Sequence, residues 1–330
     1  MSEKSHGDRI VLHNRLEERE SPFRLAEDAR RSLTASPRTM SPKYLYDDRG
    51  SRLFEAITRL PEYYQTRAER QILERHAAEI VAQLRPQILV EFGSGAAEKT
   101  RALLNAMRAA GTLEGYAPLD VSRDASQRAA EALIRDYPEL RVEGVIGDFE
   151  RPHHLPFPGS RRLLAFLGST IGNFERKRSI SFLAGAAAEM TPADGFLIGF
   201  DLVKDVGTLE RAYNDAAGVT AAFNSNLLRV LNRELGADFD PDGFRHRAFY
   251  DAAMERIEMH LVSIRDQTVQ VPAIGLVLHL PEGESIRTEL SHKYTRDSVE
   301  SLLRRGGLRL SDWYTDDDGS FALALARLPE

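Results

Sequence analysis

The sequence predicts an α/β protein with a Rossmann-like open parallel sheet and a second, α+β lobe. Three observations carry this. Between residues 88 and 202, short apolar runs ending in a polar residue alternate with helix-patterned segments. The first of these runs opens into a glycine turn. After about residue 206 the order changes to a helical stretch followed by segments that alternate like antiparallel strands.

Along the chain, residues 1–20 are charged and aperiodic. They are expected to be flexible, with 1–14 belonging to neither domain. Residues 22–33 have helical spacing, and 36–50 (S-P-R-T-M-S-P-K-Y-L-Y-D-D-R-G) are rich in turn formers. A short helix carrying Phe54 is predicted over 51–58, broken by Leu60-Pro61-Glu62-Tyr63-Tyr64. A long helix should follow over 67–84.

The stretch I-L-V-E-F-G-S-G-A-A-E-K-T at 88–100 then reads as a buried strand, a glycine turn and a helix N-terminus. Glycines allow close backbone approach to a ligand, and helix-end N–H groups face it. A nicotinamide fingerprint needs a third glycine, but Glu98 stands at that position. An acid (Glu91) before G-x-G alone is more typical of S-adenosylmethionine enzymes, and the turn by itself leaves both cofactors open. Further strands at 117–120, 142–149, 163–167 and 196–200 end in Asp120, Asp148-Phe149, the G-S-T-I-G-N turn and Asp201. Open α/β sheets bind ligands at strand C-termini. Asp120 suits ribose hydroxyls, and Asp148 with Phe149 suits an adenine amino group and ring. Acids there also cap following helices, although four in order exceed what capping explains.

Residues 206–235 read as helical, interrupted near Gly218, and 256–264, 268–280 and 285–294 as antiparallel strands. A helix at 297–305 closes on Gly306-Gly307, and 308–314 and 320–328 return as the last two strands of the first sheet. The expected division is 68–203 plus 294–330 for the nucleotide-binding domain and 15–67 plus 204–293 for the substrate domain.

With a net charge of −6, a nucleic-acid backbone is not an evident partner. No apolar run approaches the ~20 residues of a membrane span, no signal peptide is visible, and the cytoplasm is the expected compartment. The absence of cysteine excludes disulfides, thiolate metal sites and cysteine nucleophiles. The nine histidines show no metal-ligand spacing, and His153-His154 reads as surface loop, so no metal is expected.

On the substrate side, Glu289 and Ser291 lie two apart on a predicted strand, facing one side roughly 7 Å apart. A carboxylate and a hydroxyl so placed could hold the two nitrogens of an imidazole, although the pattern alone more often describes a solvent-facing polar pair. Asn173 suits an amino-acid head group or a helix cap, and Tyr213 a ligand or the core. Tyr44, Tyr46, Tyr63 and Tyr64 form an aromatic-rich group for which packing is the default; a tyrosine cage could also stabilise an ammonium by about 0.5–2 kcal/mol.

Together these residues resemble the family of histidine-specific Nα-methyltransferases of ergothioneine biosynthesis, over nearly the whole chain. The blocks carrying the resemblance include Lys43-Tyr44-Leu45-Tyr46-Asp47, T-R-L-P-E-Y-Y at 58–64, E-F-G-S-G-A-A-E-K-T-R at 91–101 and F-L-G-S-T-I-G-N-F at 166–174. D-L-V-K-D at 201–205, Y-N-D-A-A-G-V-T-A-A-F-N at 213–224 and T-E-L-S-H-K-Y at 288–294 continue it. The resemblance implies a class I S-adenosylmethionine-dependent methyltransferase core and three methyl transfers to the α-amine of L-histidine, giving the betaine hercynine.

Position by position, the resemblance implies donor contacts at Gly93, Lys99, Asp120, Asp148 and Phe149, with Lys99 on the donor carboxylate. It implies histidine contacts at Tyr63, Asn173, Tyr213, Glu289 and Ser291. Asn173 and Tyr213 would take the amino-acid end, and Glu289 and Ser291 the imidazole. Tyr46 matches a tyrosine near the reacting amine and, alone or through water shared with Tyr63, is the candidate proton route; Tyr46, Tyr63 and Asn173 form the expected catalytic set. Phe54 and Met259 would shape the pocket. Leu290, His292 and the charged N-terminal extension depart from the family pattern; Leu290 should face away from its two neighbours. A monomer is expected. Three alternatives remain at this stage: a methyltransferase for a tryptophan-derived amine, a non-catalytic donor sensor, and a nicotinamide oxidoreductase.

Overall fold

The computed structural model describes residues 9–15, 20–94, 99–120, 123–147 and 155–329. The described residues fall into two compact units, those within Met1–Glu17, Arg67–Leu202 and Tyr294–Glu330 in the first and those within Glu18–Thr66 and Val203–Lys293 in the second.

The first unit is built on an eight-stranded sheet. Its strands are β1 (Ile10–Asn14), β3 (Ile88–Phe92), β4 (Gly115–Asp120), β5 (Arg141–Ile146), β6 (Arg162–Phe166), β7 (Gly195–Asp201), β13 (Arg309–Thr315) and β14 (Phe321–Arg327). The order is β1-β5-β4-β3-β6-β7-β14-β13, parallel through β7, with β14 antiparallel to β7 and β13 antiparallel to β14. Helices α3 (Gln65–Leu84), α4 (Thr100–Ala109), α5 (Arg123–Asp136), α6 (Arg176–Glu189) and α9 (Arg296–Arg305) accompany it. β3, β6 and β7 are buried at every position. A strand covered on both faces reads as a continuous apolar run, which is why these were visible in the sequence.

The N-terminal expectation needs correction. The segment expected to be flexible contains β1, paired in parallel with β5 from Ile10↔Val142 to Asn14↔Ile146. An edge strand buries one flank only, and Val11 stays 47% exposed. The backbone pairing that orders it leaves little mark on side-chain composition.

The second unit has a four-stranded sheet, β2 (Arg38–Thr39), β12 (Ser285–His292), β9 (Arg256–Ser263) and β8 (Phe244–Asp251), in the order β2-β12-β9-β8. A separate hairpin pairs β10 (Gln267–Val271) with β11 (Leu276–Leu280). The sequence suggested one strand there, but Pro272 starts a 3-10 turn and Gly275 closes it at φ +57°. β8 was not anticipated, because its residues are mostly half-buried and carry charge. Helices α1 (Glu20–Leu33), α2 (Asp48–Ile57), α7 (Val206–Arg211) and α8 (Val219–Leu235) complete the unit. Its core joins Leu45, Leu209, Phe223, Leu227, Met259 and Ile286.

Asp47 caps α2 by accepting from the Gly50 N–H at 2.8 Å, and also accepts from Asn226 at 2.7 Å and Arg233 at 2.8 Å. Asp215 caps α8 through the Val219 and Thr220 N–H groups, each at 2.8 Å. These caps fix the segments that carry Tyr46, Phe54 and Tyr213.

Candidate active site

In the first unit, the turn after β3 begins at Gly93 with φ +69°. A side chain is strained in that conformation, and the Gly93 N–H is tied to the Leu119 carbonyl at 2.8 Å. Glu91, at the end of β3, is 4% exposed. It accepts from Thr100 Oγ1 (2.8 and 2.6 Å) and from Tyr116 Oη (2.6 Å). Burial pushes its carboxyl up to about 7, against the opposing pull of these two donors and of Lys99. It braces the turn from behind.

Lys99 stands at the N-cap position of α4 and is ion-paired to Glu69. Glu69, a residue of α3 that carries no signal in the local sequence pattern, is 0% exposed. Its other carboxylate oxygen accepts from the Gly168 N–H at 2.7 Å. Gly199 makes room for it, since a Cβ there would stand 2.4 Å from Glu69 Oε1. Glu69 thus ties the lysine to the turn after β6. Asp120 ends β4 and is half-buried. Asn173 ends the 3-10 turn Thr170–Asn173, also half-buried. That turn is entered through Ser169 at φ +55°, whose hydroxyl accepts from the Asp201 N–H at 2.9 Å. Asp148 and Phe149 lie outside the described residues.

In the second unit, β9 and β12 pair antiparallel with Glu289↔Met259, Leu290↔Glu258 and Ser291↔Ile257. Paired residues share a face, so Glu289, Met259, Ser291 and Ile257 lie on one face and Leu290 with Glu258 on the other, as the alternation predicts. Ser291 is 3% exposed and bonds Tyr213 Oη at 2.9 Å. Two residues not singled out from the sequence complete this cluster. Lys293 is 0% exposed and donates to Ser291 Oγ at 2.8 Å and Tyr213 Oη at 3.1 Å, its ammonium 4.9 Å from the Tyr213 ring centre. Gln65 donates to the same phenol oxygen at 3.1 Å. The main chain is held as well: His246 Nε2 lies 2.9 Å from the Tyr213 carbonyl, and its Nδ1 lies 2.9 Å from Asn224 Nδ2.

Glu289 is half-buried as a residue, but desolvation of its carboxyl pushes it up to about 7, with the charge of Lys293 pulling the other way. Tyr46 moves up from the usual phenol value, first by desolvation and then by the charges of Glu289 and Tyr213. Its ring belongs to an aromatic cluster with Phe54 (5.4 Å) and Phe223 (5.3 Å), and Phe54 meets Tyr63 edge-on at 6.2 Å. The tyrosine group expected from sequence is therefore divided. Tyr44 donates to Asp28 at 2.7 Å, and Tyr64 accepts from Lys204 at 2.7 Å. Phe54 and Phe223 stand beside Tyr46 instead.

The first unit thus gathers a glycine turn, an acid at the next strand end and a cation. These groups fit a ligand with ribose hydroxyls and a carboxylate. The second unit gathers a carboxylate, a hydroxyl and an aromatic wall, which fit a polar ring and an ammonium.

Residues 25–328 match the family described as histidine-specific methyltransferase, SAM-dependent. A histidine N-alpha-methyltransferase of Mycolicibacterium smegmatis is 49% identical over 305 residues, covering 92% of this chain and 94% of that protein. The protein of the same name from Mycobacterium tuberculosis is 45% identical over 319 residues, covering 96% and 99%. Ergothioneine biosynthesis protein 1 of Neurospora crassa is 31% identical over 317 residues, covering 88% of this chain and 34% of that longer protein. The chain belongs to the histidine-specific, S-adenosylmethionine-dependent methyltransferase family.

Proposed function

We propose that the protein trimethylates the α-amine of L-histidine to hercynine, the first step of ergothioneine biosynthesis. The observation that supports this most directly is the Glu289–Ser291 pair on β12, opposite Met259 and backed by a buried cation. A carboxylate accepts a ring N–H, and a hydroxyl serves the second ring nitrogen. An indole has no such second nitrogen, so the pair favours histidine over a tryptophan-derived amine.

On the donor side, Lys99 would take the donor's carboxylate, Asp120 its ribose hydroxyls, and the Gly93 turn its close approach. Asp148 and Phe149 keep the adenine role implied by the resemblance. When bound, S-adenosylmethionine supplies an electrophilic methyl on sulfur and a neutral thioether leaving group. Asn173 would hold the substrate's amino-acid end; Tyr213, placed there by the resemblance, has its phenol committed to Ser291, Lys293 and Gln65 instead. Phe54 and Met259 would limit the pocket.

Only the neutral amine is nucleophilic, and a peptide α-amine has a pKa of about 7.7–8.0, a free amino acid's being higher still. Tyr46 is a poor base, because an ordinary phenol near ~10 is already protonated at neutral pH and its shift here is upward. Of the two proton routes considered, water shared with Tyr63 is retained. Tyr46 and its aromatic neighbours would instead face the growing ammonium, a contact of about 0.5–2 kcal/mol. Most of the acceleration then comes from positioning.

Mass spectrometry after incubation with S-adenosylmethionine and an equimolar amino-acid mixture tests the reading. Histidine should gain up to three methyl groups. Methylation of a different amino acid would overturn the ring assignment, and donor binding without any transfer would favour a sensor.

A pH prediction follows from Glu289. Its ionised form accepts the ring N–H, and its pKa stands at about 7. Histidine affinity, measured by calorimetry with S-adenosylhomocysteine present, should therefore weaken as pH falls through about 7. Protonation of the imidazole itself near ~6.5 adds a second step. Glu289→Gln should abolish the first step and keep the second. A wild-type profile no steeper than that of Glu289→Gln would remove Glu289 from the ring contact.

A further inference from the structure

We propose that Lys293 is a positioning residue that sets the hydrogen-bond polarity of the ring site: it holds the Ser291 hydroxyl as a donor, so the site selects a ring that offers an acceptor nitrogen. This rests on the histidine reading above and extends it to a residue outside the contacts implied by the family resemblance.

The polarity follows from a count of hydrogens. An ammonium has three N–H groups and no lone pair, so it can only donate. Lys293 donates to Ser291 Oγ at 2.8 Å and to Tyr213 Oη at 3.1 Å. Tyr213 Oη also receives the Gln65 amide at 3.1 Å. With two hydrogens pointing at its oxygen, the phenol gives its own to Ser291 Oγ, 2.9 Å away. The serine oxygen then accepts from both Lys293 and Tyr213. What Ser291 has left is its own O–H, which can only donate.

A neutral imidazole answers this arrangement. One ring nitrogen accepts from Ser291, and the N–H of the other donates to Glu289. An imidazolium, or an indole turned toward Ser291, would set hydrogen against hydrogen. The same ammonium favours the charged form of Glu289, so one buried cation supports both partners of the ring. Its backbone is fixed too, since the Lys293 N–H donates to the Glu255 carbonyl at 2.7 Å. A packing role alone would not require charge, because a buried cation is costly to desolvate and a methionine fills similar volume.

The test is a double-mutant cycle on the full chain with Lys293→Met, Ser291→Ala and both together. Histidine affinity is read by calorimetry in the presence of S-adenosylhomocysteine, and S-adenosylhomocysteine affinity is read alone as the check on folding. Lys293→Met should weaken histidine binding at least tenfold in the Ser291 background and by a clearly smaller factor in the Ser291→Ala background, where only its support of Glu289 is left to lose. S-adenosylhomocysteine affinity should stay within twofold throughout. An equal loss in both backgrounds, or no loss, overturns the proposal.

A second measurement needs no variant. Of 3-(4-thiazolyl)alanine and 3-(5-thiazolyl)alanine, which place a ring acceptor on either side, at least one should bind wild type fivefold more tightly than 3-(3-thienyl)alanine. If neither does, Ser291 is not a donor to the ring. If wild type binds no histidine at all, the histidine reading fails, and this inference with it.

Discussion

Lys99→Ala is expected to lower the melting temperature by roughly 6–20 °C and to weaken S-adenosylmethionine binding by about 10- to 100-fold. The two effects have separate causes. Glu69 is wholly buried, its charge answered by Lys99 and the Gly168 N–H. Removing one partner of a buried pair leaves an uncompensated charge and costs about 3–5 kcal/mol. At ~2–4 °C per kcal/mol for a unit of this size, that gives the stated shift. The loss of affinity reflects a missing charge-assisted hydrogen bond to the donor carboxylate, worth about 1.5–3 kcal/mol. The double variant Lys99→Met with Glu69→Gln separates them. It should regain most of the thermal stability, since no charge is left stranded, and none of the donor affinity. Thermal denaturation and calorimetry on the three proteins decide the matter. An unchanged melting temperature for Lys99→Ala would mean that Glu69 needs no cation; recovered donor binding in the double variant would remove Lys99 from the donor site.

This pair also marks the limit of what the sequence discloses. Gly93, Glu91 and Asp120 announce themselves because each sits at the end of an apolar run, where the pattern changes within one or two residues. Glu69 lies inside a helix whose surface is rich in charge, and nothing in the local pattern separates a wholly buried glutamate from its solvated neighbours. The signal is at a distance, in Gly199, whose missing side chain leaves the space it occupies, and in Gly168, whose N–H it accepts. Lys293 follows the same logic. Two residues beyond Ser291, the alternation of β12 would place it on the serine's face. A lysine near a strand end still reads as exposed until the structure shows it 0% accessible.

The fold divides in a similar way. β3, β6, β7 and β14 are legible because burial on both faces makes them apolar throughout, or nearly so. β1 and β8 were missed because they are half-exposed, and their order comes from backbone pairing with β5 and β9. The aromatic wall shows a further limit. Four tyrosines close in sequence suggested one group, yet Tyr44 and Tyr64 bond to Asp28 and Lys204, while Phe223 on α8 comes to Tyr46 from far along the chain. Periodicity reports which face a residue takes, and only tertiary packing decides its neighbours.

Glu289→Ala should lower kcat/KM for histidine by about 100-fold, mostly through KM. The carboxylate is desolvated enough to move its pKa to about 7, so its hydrogen bond to a ring N–H forms in a low-dielectric setting with little competition from water. A lost hydrogen bond to a charged acceptor is worth about 1.5–3 kcal/mol, or roughly 10- to 150-fold. Truncation also strands the substrate N–H, which places the expectation in the upper part of that range. Glu289→Gln should fall between the two: its amide oxygen can still accept, but without charge, and its NH2 can face the ring the wrong way. Donor affinity should be unaffected by either change. Discrimination is the sharper readout. Activity on an amino acid without a ring N–H never used this bond, so the preference for histidine over such a competitor should shrink by the same factor as histidine kcat/KM. A uniform fall on all substrates would instead mean that Glu289 shapes the strand rather than reads the ring. Histidine constants equal to wild type would remove it from recognition altogether.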